Sequence, residues 1–425
     1  RDWSSDVCSS DLSSYYSFMV LLHLLLLTIA CFLLIGSVLV TAYYLFLAVV
    51  AILHRPAPWR ESPTDAESQK RFAIVVPAHN EEGAIMNTLN SCREIDYPNS
   101  RFEVFVIADN CSDDTARVVQ EAGTECLVRT HDELIGKGHA LAWAFDRVMS
   151  QGFDAVIVLD ADCRIDRHAL KAFNRHLNQG ELVLQANDIA SNPDESPMSY
   201  VVSVGNLIEN ELYYYPKSRL GWAVVLRGTG MVLSAELLQR FPWGASSIVE
   251  DMEYTMDLLR HGQTVEFVQE ACVSSPFPTQ QEQLDVQRAR WAAGNLGYGK
   301  SDALKFIREG LTRGPLVLAD FGWNMIVLSR PLVLAMLGTT LFFCGLTWFI
   351  QPGLFSAILM IASLACCTLQ GLYFVLGIAL LGINKKRLLF LLRAPGIVLR
   401  LIVISLSSLV MPGKPIWQRT PREHD

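Results

Sequence analysis

The chain has 425 residues, of which 51% are hydrophobic and 18% charged, and its mean hydropathy is +0.27. This composition excludes a disordered chain, a collagen-like chain and a small disulfide-rich domain. The formal net charge of −8 at pH 7 disfavours nucleic acid as a partner, because phosphate binding needs a basic stripe. The ten cysteines form no CxxC pair, so the sequence predicts neither a zinc site nor a disulfide framework.

Apolar residues concentrate near the two ends of the chain. Residues 1–12 differ from the apolar run that follows and resemble a translated adapter, so we expect them to lie outside the fold. Residues 17–53 predict an N-terminal transmembrane segment, because Phe18 to Leu53 contains no Asp, Glu, Lys or Arg and about 20 apolar residues suffice to cross a bilayer. One long or tilted helix is the favoured form, and a tight two-helix hairpin is the alternative.

Residues 54–70 predict a linker that leads into a central α/β domain. This stretch contains three prolines, and its basic residues place the central domain in the cytoplasm by the positive-inside rule. Within residues 71–310, short β-branched runs alternate with helical stretches, which is typical of a parallel α/β sheet.

Three of the predicted strands end directly in polar motifs. They are Phe72–Val76, Val104–Ala108 and Ala155–Leu159. Ligands of open parallel sheets bind at the carboxyl ends of the strands. The polar residues that follow these strands are therefore candidate site residues.

The first two motifs are PAHNEE and ADNCSDD. Ser112 and Asp113 are equally well explained as caps of the helix that begins near Asp114. Glu81 is also explained by attraction to a helix N-terminus, worth about 0.3–1 kcal/mol. Capping does not explain Asp109, which lies at the carboxyl end of the strand and before the cap, where its carboxylate could accept the N–H of a nucleobase.

The third strand ends in the sequence DAD. Alternate side chains of a strand share a face, so we expect Asp160 and Asp162 to point into one pocket. Two carboxylates that lie this close repel each other unless a cation intervenes, and their hard oxygens favour Mg²⁺ or Mn²⁺. A nucleotide diphosphate would supply the remaining ligands. A solvated turn is the alternative interpretation.

Two further motifs lie on predicted helices. Glu250 and Asp251 open a helix, where they favour either capping or a general base beside an acceptor hydroxyl. Gln287, Arg290 and Trp291 share one helix face, which joins an amide, a cation for diphosphate oxygens and a platform for a sugar ring. Anchoring at a membrane interface is the alternative for this second motif.

The C-terminal part predicts further membrane segments. Residues 316–329 predict an interfacial helix, and residues 330–350 and 354–383 predict two spans that go out and return. Residues 388–411 contain Arg393 and Arg400, which are costly in mid-bilayer, so we expect an interfacial or re-entrant helix there. Residues 412–425 are then a cytoplasmic tail.

The motifs PAHNEE, ADNCSDD, DAD, ED and QRARW, in this order and between membrane segments, resemble the membrane-bound family 2 glycosyltransferases. This group includes cellulose, chitin and hyaluronan synthases, and the resemblance covers roughly residues 70–300. It implies a GT-A fold of the cytoplasmic domain, flanked by transmembrane helices in the plasma (inner) membrane. It also implies an inverting mechanism, Mg²⁺ or Mn²⁺ as the cofactor, and a nucleotide-activated sugar that is usually carried by UDP.

The resemblance also implies roles for individual residues. Donor-side contacts fall on Asp109 for the base, Glu81 for the nucleoside and Lys137 for the nucleotide, and Asp160 and Asp162 would hold the nucleotide and the metal. Asp251 matches the catalytic base. The acceptor and diphosphate positions are Glu250, Gln287, Arg290, Trp291 and the loop residues Gly228, Thr229 and Gly230.

These roles predict one displacement at the membrane. Asp251 would deprotonate an acceptor hydroxyl, which attacks the anomeric carbon while the metal and Arg290 stabilise the diphosphate. The acceptor is either a growing exopolysaccharide or cell-surface glycan, which QxxRW favours, or a lipid that is glycosylated once. The sequence does not identify any partner protein for export. A non-catalytic scaffold or transporter subunit is the alternative of another class, although a scaffold would be expected to lose one of Asp160, Asp162 and Asp251.

Overall fold

The structure is a computed structural model, and it describes only part of the chain. It describes the backbone of residues 4–54, 68–312, 314–327 and 329–410 and, within these, all side chains except those of residues 4–17, 282, 286, 288–301, 327 and 408–410. Most of the predicted linker 54–70 and all of the predicted tail 412–425 lie outside the described residues.

The central domain is built on one eight-stranded sheet with the strand order β3-β2-β1-β4-β7-β6-β8-β5. Its strands are β1 Phe72–Ala78, β2 Phe102–Asp109, β3 Glu125–Arg129, β4 Ala155–Val158, β5 Arg164–Ile165, β6 Val183–Ala190, β7 Met231–Ser234 and β8 Glu266–Ser275. The central strands are near-continuous apolar runs because the sheet is covered on both faces. Along β1, for example, Phe72, Ile74 and Val76 pack into one core and Ala73 and Val75 into the other.

The sheet is mixed, so the prediction of a parallel sheet is wrong for two strands. β1 runs parallel to β2 and β4, and β6 runs parallel to β8. β7 is antiparallel to both of its neighbours, and β5 is antiparallel to β8. A strand buried on both faces has the same apolar composition in either direction, so the sequence pattern did not reveal this reversal.

Short helices cover the sheet. After the first helix of the chain, α1 (Ser4–Leu53), they are α2 Ile85–Arg93, α3 Thr115–Glu121, α4 Lys137–Met149, α5 Ala169–Asn178, α6 Pro197–Glu209, α7 Tyr215–Arg219, α8 Ala235–Arg240 and α9 Glu250–Arg260. A π-helical turn, Asn210–Tyr214, joins α6 to α7. A 3₁₀ turn, Asn99–Arg101, precedes β2.

The remaining helices are long or apolar. They are α10 Gln281–Thr312, α11 Leu316–Val327, α12 Arg330–Ile350, α13 Leu354–Leu381, α14 Lys385–Leu391 and α15 Ala394–Val410. Among the described residues, three helices are long and apolar enough to cross a membrane: Phe18–Leu53, Arg330–Ile350 and Leu354–Leu381. The first is a single helix rather than a hairpin, and its backbone continues through residues 4–12.

The segment predicted as one helix over 388–411 is instead two helices. α14 begins at Lys385, and a bend of 49° separates it from α15. The break falls just before Pro395, because proline cannot continue a helix from the preceding turn but is tolerated at the start of the next one. Taken together, this bent pair would make a fourth candidate span.

The candidate spans pack on one another and on the central domain. The buried hydroxyls of Ser37 and Thr340 share a hydrogen bond of 2.8 Å between α1 and α12. Gly377 of α13 lies against α6, where an added Cβ would be only 2.2 Å from the Ile208 side chain. Close packing therefore holds the sheet domain against the apolar helices.

Two ion pairs, one buried and one partly buried, reinforce this junction. The Lys217 ammonium of α7 lies 2.8 Å from the Asp320 carboxylate of α11, which also accepts a hydrogen bond of 2.6 Å from the Tyr43 hydroxyl of α1. At the start of α12, Arg330 donates to the Gly205 carbonyl at 2.8 Å and pairs with Glu209 at 3.2 Å. Removal of one partner would leave the other charge without its counter-ion. These pairs therefore favour one arrangement of the sheet domain against α11 and α12.

Candidate active site

The polar motifs meet at one edge of the sheet. Asp109 is the last residue of β2, and Asp160 follows β4 by two residues, with β1 between these two parallel strands. Parallel neighbours present their carboxyl ends at the same edge. The structure therefore brings together motifs that are far apart in the chain.

Asp109 is held by a cation that the sequence analysis missed. Its side chain forms a buried ion pair with Arg129, and the two residues are only 7% and 4% exposed. Arg129 also donates to the Leu134 carbonyl at 2.6 Å. Arg129 ends β3 directly opposite Asp109 in the β2–β3 register, but a single arginine in a predicted strand gives no motif that could have revealed this pairing.

The loops after β1 and β2 are joined by hydrogen bonds. The backbone N–H of Glu81 donates to the Thr115 hydroxyl at 2.8 Å, and the Glu81 side chain is largely buried. Asp113 accepts from the Thr115 N–H at 3.0 Å and from its hydroxyl at 2.6 Å. Asp113 thus binds the first residue of α3, but the capping interpretation of Ser112 and Asp113 is wrong, because the N-cap position is Asp114 and no side chain caps the helix there. The Glu81 backbone is held by Thr115.

Lys137 lies at the centre of the site. It is the first residue of α4, and its ammonium contacts the Asp160 carboxylate, donates to the Gly228 carbonyl at 2.7 Å and lies 3.9 Å from the Glu250 carboxylate. Burial alone would lower its pKa, but the carboxylates of Asp160, Glu250 and Asp251 raise that pKa above its ordinary value. Lys137 is therefore a permanent cation that joins three motifs.

Glu250 and Asp251 occupy the first turn of α9, as predicted. Glu250 is only 7% exposed, and burial raises its pKa to about 7 although Lys137 opposes this rise. Burial also raises the pKa of Asp251, while a hydrogen bond of 2.8 Å from the Met252 N–H to Oδ1 lowers it. A carboxylate whose basicity is raised in this way suits a general base.

The loop between Arg227 and β7 lies beside Asp251. A Cβ on Gly228 would lie 3.4 Å from both Asp251 Oδ2 and Lys137 Nζ, and Gly228 has a φ of +77°. At φ +66°, Gly230 packs so tightly that a Cβ would be 2.6 Å from that of Ala186. The positive φ favours glycine at both positions, and at Gly230 the lack of space excludes any side chain as well.

Thr229 ties the same loop to the DAD motif. Its hydroxyl accepts from the Asp160 N–H at 3.1 Å, and its carbonyl accepts from the Gln185 side chain at 2.9 Å. Gln185 also accepts from the Arg227 N–H at 2.9 Å. The sequence analysis missed Gln185 because it lies within β6 and belongs to none of the polar motifs that follow a strand.

Asp160 and Asp162 do not share a strand face, so that part of the prediction is wrong. β4 ends at Val158, where its pairing with Met231 of β7 ends. The two carboxylates lie in a turn that the Cys163 N–H closes by donating to the Asp160 carbonyl at 3.0 Å. A tight turn rather than a strand therefore keeps these residues near each other.

The two aspartates fit a divalent cation only as a partial ligand set. Among the described residues, no three His, Cys, Asp or Glu side chains form a group that could hold a metal ion. Asp160 and Asp162 offer hard carboxylate oxygens, which Mg²⁺ and Mn²⁺ prefer. These residues would thus hold a metal whose remaining ligands come from a bound diphosphate or water.

The QRARW motif lies on α10, as predicted. Gln287 is half-buried there. The side chains of Arg290 and Trp291 lie outside the described residues, so their roles at the diphosphate and the acceptor stay predictions.

The chain was compared with known proteins. Residues 69–294, more than half of the chain, match the family model described as Glycosyltransferase like family 2. The probable glycosyltransferase YdaM of Bacillus subtilis (strain 168) is 24% identical over 266 residues, which cover 60% of this chain and 62% of YdaM. The beta-monoglucosyldiacylglycerol synthase of Trichormus variabilis is 27% identical over 235 residues, or 52% of this chain and 48% of the synthase.

Two further comparisons concern a hyaluronan synthase and a solved structure. A hyaluronan synthase of Streptococcus pyogenes serotype M3 is 29% identical over 130 residues, 28% of this chain and 29% of the synthase. The structure of the mannosyltransferase PcManGT from Pyrobaculum calidifontis, solved with GDP-Man and Mn²⁺, matches with a TM-score of 0.55 at 19% identity and covers 88% of this chain and 99% of that chain. This likeness confirms the predicted α/β fold of the GT-A type.

Proposed function

Because the chain belongs to the glycosyltransferase-like family 2, we propose that it is an inverting, metal-dependent hexosyltransferase that transfers a sugar from a UDP-sugar to a hydroxyl at the membrane. The observation that carries this proposal is the cluster of Lys137, Asp160, Glu250 and Asp251 at the carboxyl edge of the sheet. One ammonium faces three carboxylates there, so the cluster offers a cation for diphosphate oxygens and, at Glu250 and Asp251, carboxylates whose raised pKa values suit a general base.

Asp251 is the proposed base. Its Oδ1 accepts from the Met252 N–H, while Oδ2 lies next to Gly228 at the rim of the loop. Asp251 takes the proton of the acceptor hydroxyl, whose oxygen bonds to the anomeric carbon as the bond to the diphosphate oxygen breaks. A single displacement of this kind inverts the anomeric configuration.

The donor side is built from Glu81, Asp109, Lys137 and the DAD motif. We assign Asp109, which pairs with Arg129, to a nucleobase N–H, and Lys137, which donates to the Gly228 carbonyl, to a diphosphate oxygen. A divalent ion held by Asp160 and Asp162 would offset the charge of the diphosphate. Glu81, beside Thr115, contributes to the nucleoside pocket.

A membrane lipid is the acceptor that the helix packing supports best. A threaded polysaccharide needs a polar passage, whereas Ala30, Leu34, Cys344 and Leu359 pack together as a buried apolar cluster between the candidate spans. The glycolipid synthase relative supports a lipid acceptor as well. A polymer product stays the second candidate, because the QRARW motif and the hyaluronan synthase relative favour it.

The proposed topology follows from the donor. Nucleotide sugars are cytoplasmic, so we place the sheet domain on the cytoplasmic side of the plasma membrane, with α12 and α13 as an out-and-back pair.

The alternative of a non-catalytic scaffold is less well supported. A scaffold would not need the Lys137 cluster, whose carboxylates repel one another when no ligand is bound.

Product analysis tests the proposal. The full chain in nanodiscs is incubated with Mn²⁺ or Mg²⁺ and with UDP-glucose, UDP-N-acetylglucosamine or GDP-mannose, and both released nucleotide and product mass are measured. We expect one donor to give a lipid with a single added sugar of inverted configuration. Retained configuration, or turnover that survives exhaustive EDTA treatment and the Asp162→Ala substitution, would contradict the mechanism.

A further inference from the structure

A row of buried polar side chains leads from the active-site loop towards α12. Arg227 directly precedes Gly228, and its guanidinium donates to Asn210 Oδ1 at 2.6 Å and lies 3.7 Å from the Asp188 carboxylate. Asn210 in turn donates to Asn187 Oδ1 at 2.8 Å. The proposed reaction gives none of these residues a role.

The row follows the π-helical turn. Asn210 is the first residue of that turn, and Asn206 lies one helical turn earlier on α6, where its Oδ1 is 3.4 Å from Asn210 Nδ2. Single π-helical turns occur frequently at functional sites because they redirect side chains out of the regular helical register. Here the turn places Asn210 between the sheet and Arg227.

Two buried donors in this row have no partner. Asn206 is only 8% exposed, yet its amide nitrogen has no hydrogen-bond partner in the part of the chain that the structure describes. The same holds for Nε of Arg330, whose other nitrogens bind Gly205, the residue next to Asn206, and Glu209. Unsatisfied buried donors are rare in native proteins, and both of these would be satisfied by a ligand with acceptor oxygens.

The charges of the row balance. Arg227 lies beside Asp188, and Arg330 pairs with Glu209. Two cations and two carboxylates leave no net charge for an anionic headgroup to neutralise, and Asp251 near the rim of the adjacent loop repels one. An uncharged headgroup with hydroxyl and ester oxygens fits these donors.

We infer that Asn206, Arg227 and Arg330 form a subsite for the uncharged, oxygen-rich headgroup of a lipid acceptor, with Asn210 as the positioning residue that holds Arg227. The inference rests on the proposed transferase function and names its acceptor class. α12 begins at Arg330 and is a candidate span, so the subsite lies where a membrane lipid meets the domain. Its other end adjoins Gly228, next to Oδ2 of the base Asp251.

Asn206→Ala tests the subsite. With the donor that supports turnover, the full chain in phosphatidylcholine nanodiscs is assayed for sugar transfer to dioleoylglycerol and for nucleotide release without added lipid. We expect the KM for dioleoylglycerol to rise about tenfold, the loss typical of one good hydrogen bond to a ligand. The donor KM should change less than twofold, and the unfolding midpoint should not fall, because the variant removes an unsatisfied donor.

Ser203→Ala is the matched control. Ser203 is buried on the same helix, but its hydroxyl is satisfied by the Ser199 carbonyl at 2.6 Å, so this variant should leave the KM for dioleoylglycerol unchanged. An unchanged KM in Asn206→Ala, or an equal rise in both variants, would overturn the inference. Dioleoylphosphatidic acid serves as the anionic probe, and its preference over dioleoylglycerol would also overturn it.

The two proposals fail in different ways. If the wild-type protein releases nucleotide but glycosylates neither lipid, the subsite inference is wrong and the transferase proposal stands. If no donor of the panel is consumed under any condition, the proposed function fails, and the inference fails with it.

Discussion

Two buried clusters of charge in the sheet domain differ in composition. Asp109 and Arg129 form a balanced pair, one carboxylate with one guanidinium, at the ends of β2 and β3. In the second cluster, the single ammonium of Lys137 interacts electrostatically with three carboxylates, those of Asp160, Glu250 and Asp251. The balanced pair is complete without a ligand, whereas the second cluster carries excess negative charge that burial makes costly. Burial, together with repulsion between the carboxylates, raises the pKa values of Glu250 and Asp251, which supports the proposal that the second cluster is the reactive one.

The largest expected effect comes from the unbalanced cluster. Asp251→Asn keeps the size of the side chain but removes the base, so kcat should fall by about 10²–10⁴-fold. Nucleotide affinity, measured by calorimetry, should change little. Activity within a few-fold of the wild type would show that another group accepts the proton.

Disruption of the Asp109–Arg129 pair should lower the free energy of unfolding. Arg129→Ala leaves the Asp109 carboxylate buried without its cation, and such losses cost about 3–5 kcal/mol. Denaturant or thermal unfolding of the protein in detergent would measure the change. The double variant Arg129→Ala with Asp109→Ala should recover part of it, and a single variant as stable as the wild type would contradict the role of the pair.

Removal of the shared cation should alter both rate and pH dependence. Lys137→Met should lower kcat/KM by about 10²–10³-fold, the usual loss for a group that stabilises developing charge. Lys137 lowers the pKa values of Glu250 and Asp251, so its loss should raise them further and move the acidic limb of the pH–rate profile to higher pH. A limb that moves to lower pH would exclude this electrostatic coupling.

The smallest expected effect is on stability at Glu250. Burial raises the pKa of Glu250 in the folded protein to about 7, which is above its value in the unfolded chain. The free energy of unfolding is therefore highest below the unfolded pKa, where the carboxyl is protonated in both states. It decreases as pH rises through the folded pKa, because the buried carboxyl must then ionise. Glu250→Gln, which cannot ionise, should therefore raise the unfolding midpoint by a few degrees, on the order of 1 kcal/mol, at pH 8. The gain should be smaller at pH 5, and an equal gain at both values would show that the carboxyl stays protonated or paired throughout.

The sequence predicted the reactive cluster better than the balanced pair. Glu250 and Asp251 form a motif at a helix start, and the structure places them there. Arg129 carries no motif, because its partner is defined by strand register alone. The strand-face argument for Asp160 and Asp162 was wrong, since β4 ends at Val158, opposite Met231, where its antiparallel partner β7 begins.

The sequence by itself determined the mixed composition of the central domain, the apolar helices around it and the order of the polar motifs. These features depend on periodicity and composition over short windows, which the chain carries locally. Only the tertiary structure decided the reversed direction of β7, the contact of Lys137 with Asp160 and Gly228, and the packing of Arg330 against α6. Such contacts join residues far apart in the chain, and their partners are selected by the packing of the whole molecule rather than by local preference.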